Sequence, residues 1–205
     1  LVNYGAAYVG FFSSLCTLGI NIVIVKDFID HPDEQGTAIG STLAARALSS
    51  FLSAIMIIAV VSVVDKNEPI TIAVVALCSI ALVFQVMDTF NYWFQAQYKS
   101  NMTAIAILIA YIATAIYRVI LLVTGASVQW FAFASSVDYI VLGIILLSAY
   151  KKNGGPALKF SKIKTKALLS SSYHYILSGM MVAIYGQTDK LMLKQMLDET
   201  HVGYY

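Results

Sequence analysis

Charge is what this sequence has least of. Only 12% of its 205 residues are Asp, Glu, Lys or Arg, about half of the quarter that soluble domains carry. The net charge is +2, so the basic face of a nucleic-acid-binding domain is missing and no nucleic-acid partner is expected. The two cysteines, Cys16 and Cys78, lie far apart inside apolar runs. With no C-x-x-C spacing, neither a disulfide nor a metal site is expected, and both read as small apolar residues. There is no HExxH, no GxSxG and no phosphate-cradling glycine loop, and the polar loops are too short to hold a catalytic domain. No enzyme, no cofactor and no metal are expected. No basic segment followed by a short apolar core and a small-residue cleavage site opens the chain, so no signal peptide is read.

What the sequence has is apolar length. Hydrophobic residues make up 59% of it and the mean hydropathy is +0.76, more apolar surface than a chain of this size can bury in itself. The surplus must face lipid. A helix needs about 20 apolar residues to cross about 30 Å of hydrocarbon. Residues 4–25, 39–64, 70–87, 102–124 and 128–150 meet or approach that length, and 168–186 is a weaker sixth candidate. Pro32, Pro69 and Pro156 all fall between these runs, where a broken helix does no harm. The connectors 65–68 and 125–127 are short and join antiparallel neighbours. Barrel strands would be about ten residues of alternating polarity, so the fold class predicted is all-α, a multi-pass transmembrane helical bundle. The segment 187–205 is too polar to span and is read as the lead into a further helix.

Lysine and arginine set the orientation. The loops after the first, third and fifth runs share one side, which holds Lys26, Lys99, Lys151, Lys152, Lys159, Lys162, Lys164 and Lys166; the other side holds Lys66, joined by Lys190 and Lys194 if the tail lies there. The first side is expected to be cytoplasmic. The basic loop 151–167 reads first as a topogenic signal and linker, and second as a surface for anionic lipid headgroups.

Charges inside the spans are costly and seek a partner, a cavity or an interface. The hairpin of the second and third runs puts Arg46 and Asp88 at equal depth, about 21 residues either side of Asn67, so they are expected to be able to pair. Arg118 and Asp138 lie about 12 and 18 Å from the turn at Ala126, using 1.5 Å per residue, a gap a guanidinium stem can bridge. Two readings stay open for both pairs: mutual compensation of buried charges, with the arginines free to snorkel, or a cavity-lining site for an anionic substrate with a coupling carboxylate. The aromatic cluster Phe90, Tyr92, Trp93 and Phe94 is expected to form an interfacial belt.

Two stretches carry a resemblance. Residues 88–99, D-T-F-N-Y-W-F-Q-A-Q-Y-K, are similar to the Y-W-F-Q-A stretch after the fourth helix of the Wzx-type polysaccharide flippases, members of the MOP exporter superfamily. Here the motif residues are Tyr92, Trp93, Phe94 and Gln95. Residues 186–193, G-Q-T-D-K-L-M-L, with V-G-Y-Y at 202–205, resemble the family's G-x-x-D-x-x-M-L…V-G-x-Y pattern, opening on Gly186 and Gln187. A weaker match runs from Leu18-Gly19 to Val25-Lys26-Asp27. Relatives often carry a proline near the start of the seventh helix, where this chain has Ser172-Tyr173-His174-Tyr175.

The resemblance implies a piece of a longer protein: helices two to six of a first lobe over 1–150, a basic linker over 151–167, and the start of a second lobe over 168–205. It implies transport of a polyprenyl-pyrophosphate-linked oligosaccharide from the cytoplasmic to the outer leaflet of the bacterial inner membrane. Arg46, Arg118, Lys26 and Lys190 would be the substrate-binding cations, with Arg118 best placed within the core. Asp88, Asp138 and Asp189 would be coupling or structural carboxylates. The implied partners are the lipid-linked oligosaccharide, membrane lipid, and a polysaccharide polymerase and chain-length regulator. A multidrug or toxin exporter of the same superfamily is the alternative, and a polysaccharide polymerase, which tends to present a large outward loop, is a more distant one.

Overall fold

The computed structural model describes residues 1–196, except for the side chains of Lys190, Leu191, Leu193, Lys194 and Gln195. Among the described residues, all regular secondary structure is helical. The helices are α1 (Val2–Thr17), α2 (Ile20–Asp30), α3 (Gln35–Val64), α4 (Pro69–Phe84), α5 (Thr89–Ala96), α6 (Ser100–Val123), α7 (Val128–Lys152) and α8 (Lys162–Met196), with 3-10 turns at Pro32–Glu34 and Gln85–Asp88. They group into six stretches long and apolar enough to cross a membrane: Val2–Asp30, Pro32–Val64, Pro69–Ala96, Ser100–Val123, Val128–Lys152 and Lys162–Asp189. The chain is a multi-pass helical bundle.

The sixth predicted range changes most. The last helix begins at Lys162 and runs unbroken to Met196, so the last six residues of the basic loop and the first ten residues of the supposed polar tail are helical. With no proline in 172–175, nothing removes a backbone donor there. The V-G-Y-Y motif at 202–205 lies outside the described residues.

The outer faces meet lipid. Ile105, Leu108, Ile112, Ile116 and Val119 form an exposed apolar stripe along α6, and Leu48, Phe51, Leu52 and Ile55 do the same on α3. In water such faces would be aggregation surfaces; in hydrocarbon they cost nothing. The inner face of α3 is built from small residues, Gly36, Ala38, Ser41, Thr42, Ser50 and Ser53, all buried, which lets neighbouring backbones approach closely.

Two breaks interrupt the spans, both in the half that holds most lysines. Leu18 (φ 53°) and Gly19 (φ 58°) are both left-handed and separate α1 from α2. A Cβ on Gly19 would sit 2.7 Å from Tyr175 Cβ and 3.0 Å from the Ser172 carbonyl oxygen. Glycine is therefore required twice, for its backbone angle and for the approach of α8. The carbonyl of Leu15, freed at the end of α1, accepts from the Ser49 hydroxyl at 2.8 Å. The second break is the 3-10 turn Gln85–Asp88 between α4 and α5. Broken backbone at membrane depth is tolerated where protein groups satisfy it, as they do at both places.

The core follows the same division. At the lysine-rich end it is aromatic: Phe28, Phe90, Trp93, Phe94 and Tyr150 pack together with Leu146. At the other end Tyr4, Tyr8, Phe12, Ile57, Val61 and Leu82 fill the space between α1, α3 and α4. Cys16 and Cys78 are both buried free thiols.

Candidate functional site

The deepest charge is Arg46. Its side chain is 2% exposed. Nη1 donates to Thr89 Oγ1 at 3.0 Å and Nη2 to the Gln85 carbonyl oxygen at 3.2 Å. The guanidinium also lies 5.9 Å from the centre of the Tyr92 ring. Gln85 opens the 3-10 turn and Thr89 follows it, so Arg46 grips both ends of the turn, through the Gln85 carbonyl and the Thr89 hydroxyl. Thr89 passes the contact on, donating to the Val86 carbonyl at 2.8 Å. The equal depth of Arg46 and Asp88 is met, but no ion pair joins them among the described residues. Asp88 lies in the field of Arg46 and beside Asn91. The arginine's fork is occupied by the turn that carries Asp88 rather than by its carboxylate.

The second expected pair does not form. Arg118 is exposed on the outer face of α6, not within the core. Asp138, half-buried on α7, accepts a hydrogen bond from Thr114 Oγ1 at 3.2 Å. The reason is register. Thr114 and Asp138 each lie twelve residues from Ala126 (126 − 114 and 138 − 126), about 18 Å at the helical rise, whereas Arg118 is one turn nearer the loop.

The aromatic motif is core, not belt. Trp93 is 4% exposed and Phe94 fully buried. The Trp93 indole donates to Gln35 Oε1 at 2.9 Å, the Gln35 amide donates to the Phe28 carbonyl at 2.9 Å, and Trp93 stands edge-on to Tyr150 at 4.9 Å. One motif thus ties α2, α3, α5 and α7 together. Tyr92 is half-buried, and Gln95 is exposed and donates to Asn91 Oδ1 at 3.2 Å.

Between α2 and α8, at the lysine-rich end, lies a cleft of about 330 Å³ whose lining includes Lys26, Asp27, Asp30, Ser171 and Tyr175. Lys26 is exposed there. Asp27 is engaged: Lys164 Nζ lies 2.9 Å from Asp27 Oδ1 and 2.9 Å from Glu34 Oε2, and His31 Nδ1 lies 3.4 Å from Asp27 Oδ1. Lys164 therefore fastens the start of α8 to both the end of α2 and the following turn. Lower on the same seam, Gln187 packs on α1, where a Cβ on Gly10 would fall 2.9 Å from Gln187 Nε2. Gly186 is exposed and Asp189 half-buried. The side chain of Lys190 lies outside the described residues.

The 156–161 segment is held as well. The Lys159 amide donates to the Gly36 carbonyl at 3.1 Å, the Ser161 amide to Ser41 Oγ at 3.0 Å, and the Tyr150 hydroxyl to the Pro156 carbonyl. A Cβ on Gly36 would meet the Ala157 carbonyl at 2.2 Å, and one on Gly40 the Lys159 carbonyl at 2.3 Å. Sequence reasoning missed both the Lys164 clamp and this strap. The signal for the strap was the small-residue face of α3, which ends beyond the apolar run at Gly36 and needs a close backbone neighbour.

The cleft mixes charged and apolar side chains, with Ile22 and Val23 beside Lys26, Asp27 and Asp30, and lies between two helices of membrane length. No curated protein and no solved structure matches the chain. A family model described as polysaccharide biosynthesis protein matches residues 1–205, the whole of the sequence. The chain belongs to the polysaccharide biosynthesis protein family.

Proposed function

We propose that the protein is a flippase, not an enzyme, and that it moves a polyprenyl-pyrophosphate-linked oligosaccharide from the cytoplasmic to the outer leaflet of a bacterial inner membrane. The observation that carries this reading is the family match over the entire chain on a bundle with six membrane-length helices. The cleft between α2 and α8 supplies the entrance, with the lysine-rich end facing the cytoplasm as the distribution of Lys and Arg requires. Lys26 meets the pyrophosphate, and Ser171 and Tyr175 offer hydroxyls to the first sugar. Arg46, with its donors given to Thr89 and Gln85, holds the 3-10 turn of the bundle rather than the headgroup. Alternating access by rocking of one helical unit against another carries the headgroup across. Asp88 and Asp138 are the candidates for ion coupling, and replacing each with Asn tests that role. Asp30 beside Lys26 in the same cleft favours a second reading, an exporter of organic cations.

The test is deletion of the gene in its source organism. Accumulation of completed lipid-linked repeat units with loss of surface polysaccharide, reversed by the wild-type gene and poorly by Lys26→Gln, is the expected result. Normal surface polysaccharide would reject the flippase and leave the cation exporter.

A further inference from the structure

Four lysines share the stretch from Lys159 to Lys166, and the structure divides them. Lys164 points inward and is spent on Asp27 and Glu34 at 2.9 Å each. Lys159, Lys162 and Lys166 are exposed, and among the described residues none of the three makes an ion pair. Helical geometry explains the split. Lys162 and Lys166 are four residues apart and share one face of α8, while Lys164, two residues from each, lies on the other.

The free lysines stand beside exposed apolar side chains. Phe160 is 59% and Ile163 85% exposed. Phe160, Lys162, Thr165, Lys166, Leu169 and Ser170 line a groove of about 510 Å³. Its lining is mainly apolar and follows the first turns of α8; Lys162 and Lys166 line it, and Lys159 is the strap residue next to Phe160. The groove is built rather than loose. The strap that carries Lys159 and Phe160 is fixed by the Lys159–Gly36 and Ser161–Ser41 hydrogen bonds, and the Lys164 clamp sets the rotation of α8. Charge that is unpaired, preorganised and placed where spanning helices leave the bilayer costs stability through mutual repulsion unless an anion faces it.

We infer that this groove is a binding site for an anionic glycerophospholipid of the leaflet at the lysine-rich end, its phosphodiester held by Lys159, Lys162 and Lys166 and an acyl chain laid along the floor beside Phe160 and Leu169. Lysines near an anionic surface contribute about fivefold each to affinity, so the three together supply on the order of a hundredfold preference over a zwitterionic lipid. The occupied groove would brace the strap and the start of α8, and so the side of α8 that faces away from the α2 cleft. The inference is independent of what the protein transports.

The experiment uses the full-length protein in phosphatidylcholine nanodiscs doped with photoactivatable phosphatidylglycerol, with crosslinked peptides mapped after illumination. Labelling is expected within residues 156–170. It should fall more than about tenfold in K159Q/K162Q/K166Q, fall by a smaller factor in K162Q/K166Q, and stay unchanged in K151Q/K152Q, whose lysines end α7. The glutamine variants keep the backbone bonds of the strap, so elution as a single species like the wild type is expected. The inference is overturned by labelling elsewhere on the chain, by equal labelling from photoactivatable phosphatidylcholine, or by undiminished labelling in both the triple and the double variant.

Discussion

The two ends of this bundle solve the same packing problem differently. Away from the lysines, helices are joined by tight turns and the core is Tyr, Phe and aliphatic side chains, with Tyr4 donating to Asp65 at 3.0 Å across the end of the bundle. At the lysine-rich end two spans are broken, an arginine is buried, an indole is hydrogen-bonded in the core, and a strap is threaded over α3. Regular helices need only apolar neighbours in lipid. Broken ones release backbone groups that must be met by side chains of matching reach. The polar chemistry of this chain therefore concentrates where its backbone is irregular, and the cleft opens beside one of those breaks.

The sharpest way to break that comparison uses α3, which runs through both ends. Arg46→Met removes the donors to the Gln85 carbonyl and the Thr89 hydroxyl at both ends of the buried turn. It is expected to cost about 2–4 kcal/mol. Ile57→Val, on the same buried face toward the other end, should cost about 1 kcal/mol. Thermal unfolding of the detergent-purified protein compares them, and equal losses would mean that the broken end is no more dependent on its polar contacts than the regular end. Arg46→Lys should fall between the two, because a single ammonium cannot serve both acceptors in the fork geometry.

Glycines give the next contrast. Gly40→Val would drive a side chain into the Lys159 carbonyl, 2.3 Å from the position of its Cβ. A loss of about 1–3 kcal/mol and faster tryptic cutting at Lys159 and Lys162 are expected as the strap lifts. Gly125 ends the loop at the other end with φ 61° and open space around it, so Gly125→Ala should cost only the left-handed strain of about 1 kcal/mol without changing the tryptic pattern. Identical patterns for the two variants would show that the strap is not held by its approach to α3.

A smaller effect is expected from Trp93→Phe. The ring stays in its aromatic pocket while the hydrogen bond to Gln35 is lost, which should cost about 1 kcal/mol. Gln97 Nε2 also donates to Gln35 Oε1, at 3.3 Å, and limits the damage. An unchanged melting curve would return Trp93 to the role of an interfacial side chain, the one its sequence suggests.

Why that suggestion failed is instructive. Six spans, their short connectors and the shared end of most lysines were legible, because apolar length and charge distribution report on the solvent each segment meets; the helical stretches of the basic loop and of the polar tail were not. Trp93 and Phe94 were misplaced because aromatics near the end of a span look alike whether they face headgroups or a core, and only the neighbouring Gln35 and Tyr150 decide. The level of Arg46 was readable from helical rise, but its partners were not: Thr89 and the Gln85 carbonyl matter only because α4 gives way to a 3-10 turn, and no proline or glycine marks that turn. The clamp at Lys164 joins residues 130 or more positions apart, beyond the reach of any local pattern. The break at Leu18-Gly19 was hidden too: it lies inside the apolar run 4–25, which reads as one span, and only Gly19 of the pair is a residue suited to the left-handed angle found there.

The smallest effect settles the register of α6 against α7. Arg118 is exposed and Thr114 holds Asp138, so Arg118→Gln should change stability by less than about 0.5 kcal/mol. Thr114→Val should cost about 0.6 kcal/mol, the average for a hydrogen bond between membrane helices. The single losses are too close to separate alone, but their coupling to Asp138→Asn is not. Residues in contact deviate from additivity and separated ones do not. A cycle of Thr114→Val with Asp138→Asn should show coupling of about 0.5 kcal/mol, while Arg118→Gln with Asp138→Asn should be additive. The reverse result would place the guanidinium on Asp138 after all. That would put a paired charge inside the regular end of the bundle and remove the division between the two ends.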